Sequence, residues 1–532
     1  MPRRQDDGES TRGRGWSDGL EVPLASLTFP QTSSSKIFGY FKPGVVTLTQ
    51  GNSVFRVFSI YLKRYDDPIR HQTIENARLV CRLFCEIASR HLFPVVQVHL
   101  NQPSLDRLDA ISRNPHIAVG IQGVELILDY CPKELAQDLG RFRAHCLKGL
   151  GDHEETCSWY LEGILLGHEA QQEQEGRVAS FKDPIIIDSE YHQGELNYGS
   201  ISDAWDRVGQ SAAKVSVLAD EATEYQRILL RVYDELGRKH EEQARLIADG
   251  TFATWLRRPC CVYDLLYPCA SSASSIDFDG KAAVRVLNTK DGLFQFAITP
   301  LKWEEIELLE GGAELLPARL LSTLPTAMHR AGRDLRHSQI CCFPLRSNHS
   351  ALCPSDVPTD SAWDGLVAAF QQLASFWFGH HGSLSVRGLR PEHLPADQQA
   401  FIDRYLSAVL SGHRLEAIDL DFHSFALHDG EKRDGLYYRV DAALGTPDWP
   451  RIKILSIAKI SLHQAALDKL CAGVGNGLEH MRMRDVDMLS GEWAAALDML
   501  RNRMVGRCRD GRCRFILSGA FGANLERRIS KI

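Results

Sequence analysis

Ile452-Lys-Ile-Leu455-Ser-Ile457, followed by Ile460, decides how this chain is to be read. Leu478-Glu-His-Met481-Arg-Met483, followed by Val486, repeats the same apolar spacing 26 residues later. Leu415-Glu-Ala-Ile418-Asp-Leu420 is a third copy. The apolar–polar–apolar alternation in each copy is the mark of a strand with one buried face. A helix signal follows each of the last two. Ser461-Leu-His-Gln464 fits a capping box leading into Leu467 and Leu470. Ser490 is placed to cap a helix carrying Trp493, Leu497 and Leu500. Leu384-Ser-Val386 with Leu389 reads as an earlier, degenerate copy, and Cys513–Leu517 as a terminal strand.

A separation of 26 residues lies within the roughly 20–29 of leucine-rich strand–helix repeats. One such unit cannot bury its apolar face alone. Stacked units share a core and leave a parallel sheet free for docking. The expected fold class is therefore α/β, an irregular leucine-rich-repeat-like strand–helix solenoid over 95–520. The alternative is an ordinary α/β domain without a repeat.

Upstream, Ile74–Leu100 reads IENARLVCRLFCEIASRHLFPVVQVHL. Leu79, Leu83 and Ile87, edged by Val80 and Phe84, form one stripe of a helix ending at Phe93-Pro94. Val95–Leu100 then reads as a strand, Ser104 as the cap of a helix burying Leu105, Leu108 and Ile111, and Val119–Leu128 as a second strand. Residues 134–170 and 213–249 read as long helical insertions, the second stopping at Gly250. Polar and Gly/Pro/Ser-rich composition predicts loops near 171–203, 270–300 and 343–362. Residues 1–22 read as a disordered leader and 521–532 as a tail.

Composition narrows the function. Apolar residues make up 44% and charged residues 24%, and the net charge is −7. That balance carries no basic footprint, so no nucleic-acid partner is expected. No apolar run approaches the about 20 residues of a membrane span, so no membrane partner is expected either. Fourteen cysteines occur without a secretory signal, several inside apolar stretches (Cys81, Cys85, Cys146), which reads as reduced thiols in a cytoplasmic and/or nuclear protein.

Chemistry-bearing motifs were weighed against plainer readings. Cys508-x4-Cys513 and His380-His381 lack the paired spacing of a zinc site, so no metal and no cofactor are expected. Cys260-Cys261 and Cys341-Cys342 read as buried thiols. Gly473-Val-Gly-Asn-Gly477 follows a helix rather than a strand and reads as a turn between repeats. Asp419 and Asp421 share one face of a strand and read as solvated. Trp493 reads as core. Arg501, Arg503, Arg507, Arg509, Arg512 and Arg514 read as a solvated face or partner patch.

Together these residues resemble fungal F-box proteins with degenerate leucine-rich repeats. Phe29-Pro30 with Ile37-Phe38-x-Tyr40-Phe41 matches the family's first half, and Arg78-Leu79-Val80-Cys81-Arg82 with Phe84, Ala88 and Leu92-Phe93 its second. Leu105, Leu108, Ile111-Ser112 and Pro115 match the helix that follows. The sequence departs from the pattern at Gln31, Thr32 and Ser33, and in the segment 44–73, which separates halves that usually adjoin.

The resemblance implies an N-terminal helical F-box within 23–94, interrupted by an insertion at 44–73. It implies a non-catalytic substrate receptor of a Skp–cullin–F-box ubiquitin ligase. Its partners would be a Skp-family adaptor, a cullin scaffold and an unnamed protein substrate. Pro30, Ile37, Phe38, Leu79, Val80 and Cys81 would contact the adaptor. The alternative under the same resemblance is a non-catalytic scaffold with a decayed F-box.

Overall fold

The computed structural model describes residues 68–155, 197–208, 223–256, 265–269, 286, 288–355, 359–379, 394–422, 437–444, 448–474, 477–508 and 514–522. The chain divides into two compact units, Met1–His91 and Leu92–Ile532.

In the first unit, α1 (Pro68–Arg78) and α2 (Arg82–Ser89) replace the single helix expected over Ile74–Phe93. The break lies at Leu79-Val80-Cys81. The Leu79 and Val80 amides turn back three residues, to the Asn76 and Ala77 carbonyls, instead of four. Cys81 is then fully extended (φ −163°, ψ 169°). No proline or glycine marks the break, and the apolar spacing runs on across it. α1 also begins inside the expected insertion, at Pro68.

The second unit is mixed α/β, built on one parallel sheet. Its strands are β1 (Val95–His99), β2 (Gly123–Ile127), β3 (Leu265–Cys269), β4 (His337–Ile340), β5 (Ser375–Phe378), β6 (Ala417–Asp421), β7 (Tyr438–Arg439), β8 (Ile454–His463), β9 (His480–Ser490) and β10 (Arg514–Gly522). Each strand lies beside its sequence predecessor, except that β6 and β7 both pair with β8, one beyond the other.

The repeated spacing is the register of this sheet. Ile418 pairs with Leu455 and Leu455 with Met481, while Leu420, Ile457 and Met483 form the next rung. The same columns run backward to Phe376 and Phe378 on β5, and to Ser338 and Ile340 on β4. Three residues before each column stands another buried residue: Leu335, Leu373, Leu415, Ile452 and Leu478. Ile121, Val124 and Leu126 have the same spacing at β2. At the entries of β5, β6, β8 and β9 two successive amides donate to one carbonyl at the entry of the neighbouring strand. Ala374 and Ser375 donate to Arg336, Glu416 and Ala417 to Ala374, Lys453 and Ile454 to Glu416, and Glu479 and His480 to Lys453. Leu384-Ser-Val386 and Leu389 lie outside the described residues; the unit before β6 is Leu373-Ala-Ser-Phe376-Trp-Phe378.

Ile460 and Val486 follow Ile457 and Met483 by three residues rather than two, and both are buried. Strict alternation would turn them outward. Lys459, Asp485 and Gly519 stand between, at φ of 55°, 53° and 62°, side by side on β8, β9 and β10. Each left-handed residue resets the alternation, so the strands continue with Ile460/Leu462 and Val486/Met488 facing the core. This extension corrects two expectations. Ser490 ends β9, three residues before the helix that begins at Trp493, and does not cap it. Ser461 belongs to β8 rather than to a helix cap, its hydroxyl donates to Asp487 Oδ2 at 3.3 Å, and His463 precedes the helix.

The crossovers supply the other half of the core. Helix α3 (Gln102–Arg113) is capped by Asn101, whose Oδ1 accepts from the Ser104 amide at 2.9 Å, so Ser104 is not the cap. The expected helix beyond 134 is described over 139–155, and 156–170 lie outside the described residues. Helical residues 197–203 lie inside the loop expected to reach 203, and with 204–208 they bury Ile201 and Trp205. Helix α4 (Glu224–Ala248) stops before Gly250, which takes φ +67°. Helix α5 (Lys290–Ile298), capped by the Thr289 hydroxyl, occupies the end of the loop expected at 270–300. A helix at Asp360–Phe370 replaces the last residues of the loop expected at 343–362. α6 (Gln464–Gly473) buries Leu467 and Leu470, and α7 (Trp493–Cys508) buries Trp493 and Leu500. Helix and strand residues join in one apolar core. Each fully buried Leu, Ile or Phe adds about 1.5–3 kcal/mol to it.

Close strand packing sets one glycine. A Cβ on Gly379, at φ +140°, would stand 2.7 Å from the Asp421 carbonyl oxygen at the end of β6. Gly379→Ala is expected to cost about 2 kcal/mol, combining backbone strain with displacement of β6. Urea denaturation of the full chain measures it, and a midpoint equal to wild type would show that β5 and β6 part freely.

Candidate docking surfaces

The turn between α1 and α2 exposes what a folded chain normally hides. Leu79 is 84% exposed and Val80 69%, with Cys81 exposed beside them and Leu83, on α2, half exposed. Ile74, Ala88 and Ser89 are buried, so the apolar stripe of this segment divides between an inner and an outer set. Contiguous exposed apolar side chains mark contact sites on folded proteins. Of the six residues expected at an adaptor interface, Leu79, Val80 and Cys81 therefore lie together on this turn. Pro30, Ile37 and Phe38 lie outside the described residues.

The second surface is the sheet face that does not carry the apolar columns. Between each pair of core residues one residue per strand is turned the other way. Gln339, Trp377, Asp419, Ser456, Arg482 and Ile516 form one such rung in direct register. Asp421, Ala458, Arg484 and Ser518 form the next. Ala458 is small enough to let Arg484 reach across its strand, placing Nη2 2.6 Å from Asp421 Oδ2. At the sheet's other end Gln97 Nε2 donates to Glu125 Oε2 at 2.9 Å, and His337 hydrogen-bonds Ser375 one rung before Gln339. The face thus alternates aromatic, acidic, basic and aliphatic groups at strand spacing, with Gln339, Asp419 and Ser456 buried and Ile516 exposed.

Asp419 and Asp421 share this face as expected, but they are not simply solvated. Asp419 is buried and Asp421 is ion-paired. The outward rung was missed in the sequence because its members share no residue type. The signal lay in position alone, as the residue between the two apolar members of each strand.

Other groups read as structural. Burial pushes the Cys131 thiol up to about 12 and the Cys342 thiol well above its ordinary value, so neither provides a thiolate near neutral pH. Among the described residues no group of His, Cys, Asp and Glu could hold a metal ion, and no helix is long and apolar enough to cross a membrane. His380, His381, Cys260, Cys261 and Cys513 lie outside the described residues. Gly473 ends α6 and Val474 bridges to Trp449, while Gly475 and Asn476 of the glycine-rich segment lie outside the described residues. Trp493 is buried. No family model matches this chain, and neither a curated protein nor a solved structure matches it.

Proposed function

We propose that the chain is the substrate-recognition subunit of a Skp–cullin–F-box ubiquitin ligase. The observation that carries this reading is the exposed run Leu79-Val80-Cys81, an apolar turn left uncovered at the residues where the family resemblance expects adaptor contact. Pro30, Ile37 and Phe38 would complete that interface. The sequential parallel strands, with their repeated register and paired entry hydrogen bonds, support a leucine-rich-repeat-like solenoid over 95–520. Its outward rungs would hold the substrate. Such a receptor performs no bond chemistry. It raises the effective concentration of substrate lysines beside the ubiquitin-loaded enzyme.

Affinity purification of the tagged full chain with the proteasome inhibited tests the proposal. Recovery of a Skp-family adaptor together with a cullin, plus proteins that accumulate only under inhibition, is the expected result. Recovery of partners without adaptor or cullin would instead favour an interaction scaffold with a decayed F-box, in line with Gln31, Thr32 and Ser33.

A further inference from the structure

A cleft of about 810 Å³ lies between α4 and α5, lined by residues of neither surface described above. Its α4 wall presents Arg227, Arg231, Arg238 and Lys239 against two acids, Asp234 and Glu235. Glu235 is already held by Arg238, which keeps its carboxyl below the usual carboxylate range. Lys239 is tied to the Ile298 carbonyl at 3.2 Å. The Arg231 guanidinium rests over the Phe294 ring, 4.8 Å from its centroid, rather than on a carboxylate. Arg227 makes no ion pair among the described residues and is exposed. Leu230, Phe294 and Ile298 line the cleft between the charges. It is therefore an apolar-floored groove with four cations against two acids; Arg231 acts on Glu235 only through space, and Arg227 makes no ion pair among the described residues.

We infer that this groove binds an acidic peptide segment in extended form, a second docking site independent of the adaptor reading. The dimensions select the occupant. From Arg227 to Lys239 the helix rises about 18 Å, which spans five to six extended residues and exceeds most small anions. Arg227 and Arg231 are one helical turn apart, about 6 Å, close to the spacing of alternate residues in an extended chain. Acids at alternate positions would face these two arginines, and a third, four residues on and therefore on the same face, would face Arg238 and Lys239. The intervening side chains would point to Phe294 and Ile298. Arginine clusters of this kind recognise acidic motifs through charge-assisted hydrogen bonds.

The probe is a fluorescein-labelled peptide of sequence Glu-Phe-Glu-Ala-Ser-Leu-Glu, titrated with the full-length chain and followed by anisotropy. Binding should weaken about tenfold or more in an Arg227→Ala, Arg231→Ala double variant, and in wild type when NaCl rises from about 0.05 M to about 0.5 M. The glutamine version of the peptide should bind correspondingly less. A double variant at two exposed arginines outside the cleft, Arg245→Ala with Arg330→Ala, should bind as wild type. Failure of wild type to bind, indifference to Arg227 and Arg231, or an equal loss in the control variant would overturn the inference. All four positions are exposed, so circular dichroism should report unchanged folding in every variant.

Discussion

Replacing Glu307 with alanine is expected to lower stability by about 3–5 kcal/mol. Its buried carboxylate gathers the segment after β4. Oε1 and Oε2 accept from the Leu345 amide at 2.9 and 3.0 Å, and Oε1 accepts from Arg346 at 3.2 Å and Ser347 at 3.5 Å. Alanine would leave these donors without an acceptor, and each buried orphan costs about 1–3 kcal/mol. The same segment holds His349, fully buried, with Nε2 3.0 Å from the Pro344 carbonyl and Nδ1 3.2 Å from Gln398 Oε1. The measurement is urea denaturation of the Ala variant against wild type.

Glu307 also gives stability a pH dependence of definite sign. Burial raises its carboxyl to about 7, opposed by the three amide hydrogen bonds. A folded value above the unfolded one means that the native state holds the proton more tightly. The contribution is full below the unfolded value of 4.5 and is lost as pH rises through about 7. Glu307→Gln keeps a carbonyl acceptor but cannot titrate, so it should flatten the decline between about pH 5 and 8. His349 acts oppositely. Burial lowers its value, so its contribution is present above the ordinary histidine range and falls away on acidification. Melting curves of wild type and Glu307→Gln over this range separate the two. Parallel pH profiles would remove Glu307 from the account.

Phe376→Ala should cost about 3–5 kcal/mol. Phe376 is fully buried at the centre of the sheet, paired with Ser338 on one side and Ile418 on the other. Neighbouring Phe378 packs on Phe343 and Phe422, with centroids 5.0 and 4.9 Å away, so the deleted ring belongs to an aromatic layer that cannot collapse without moving. Urea midpoints check the value. A loss under about 1 kcal/mol would mean that this column is not continuous.

That aromatic layer explains how much of the fold was legible. Where the columns carry Leu, Ile and Met, as at 415–420, 452–457 and 478–483, the spacing alone indicated strands, and after the last two the helices that follow. Where they carry Phe376 and Phe378, or Ser338 and Ile340, the same positions were hidden by residue type. Paired residues on successive strands stand 38, 42 and 37 residues apart between His337 and Ile454, which masks any fixed period. The shift after Ile457 and Met483 was visible as a spacing of three, but its cause is the backbone of Lys459 and Asp485, which no pattern of apolar residues reports. On the docking side, the Leu79–Cys81 run was singled out as a contact site. Its separation from the helix stripe was not foreseen, since periodicity carries no sign of a turn that lacks glycine and proline.

The most direct test of the proposed function is calorimetric titration of a purified Skp-family adaptor into the full chain and into a Leu79→Asp variant. Leu79 is exposed, so the variant should fold as wild type. The account predicts a dissociation constant of about 1 μM or tighter for wild type, and binding weakened about 100-fold or more when a charge enters the apolar turn. No binding by wild type, or equal binding by both, would contradict it.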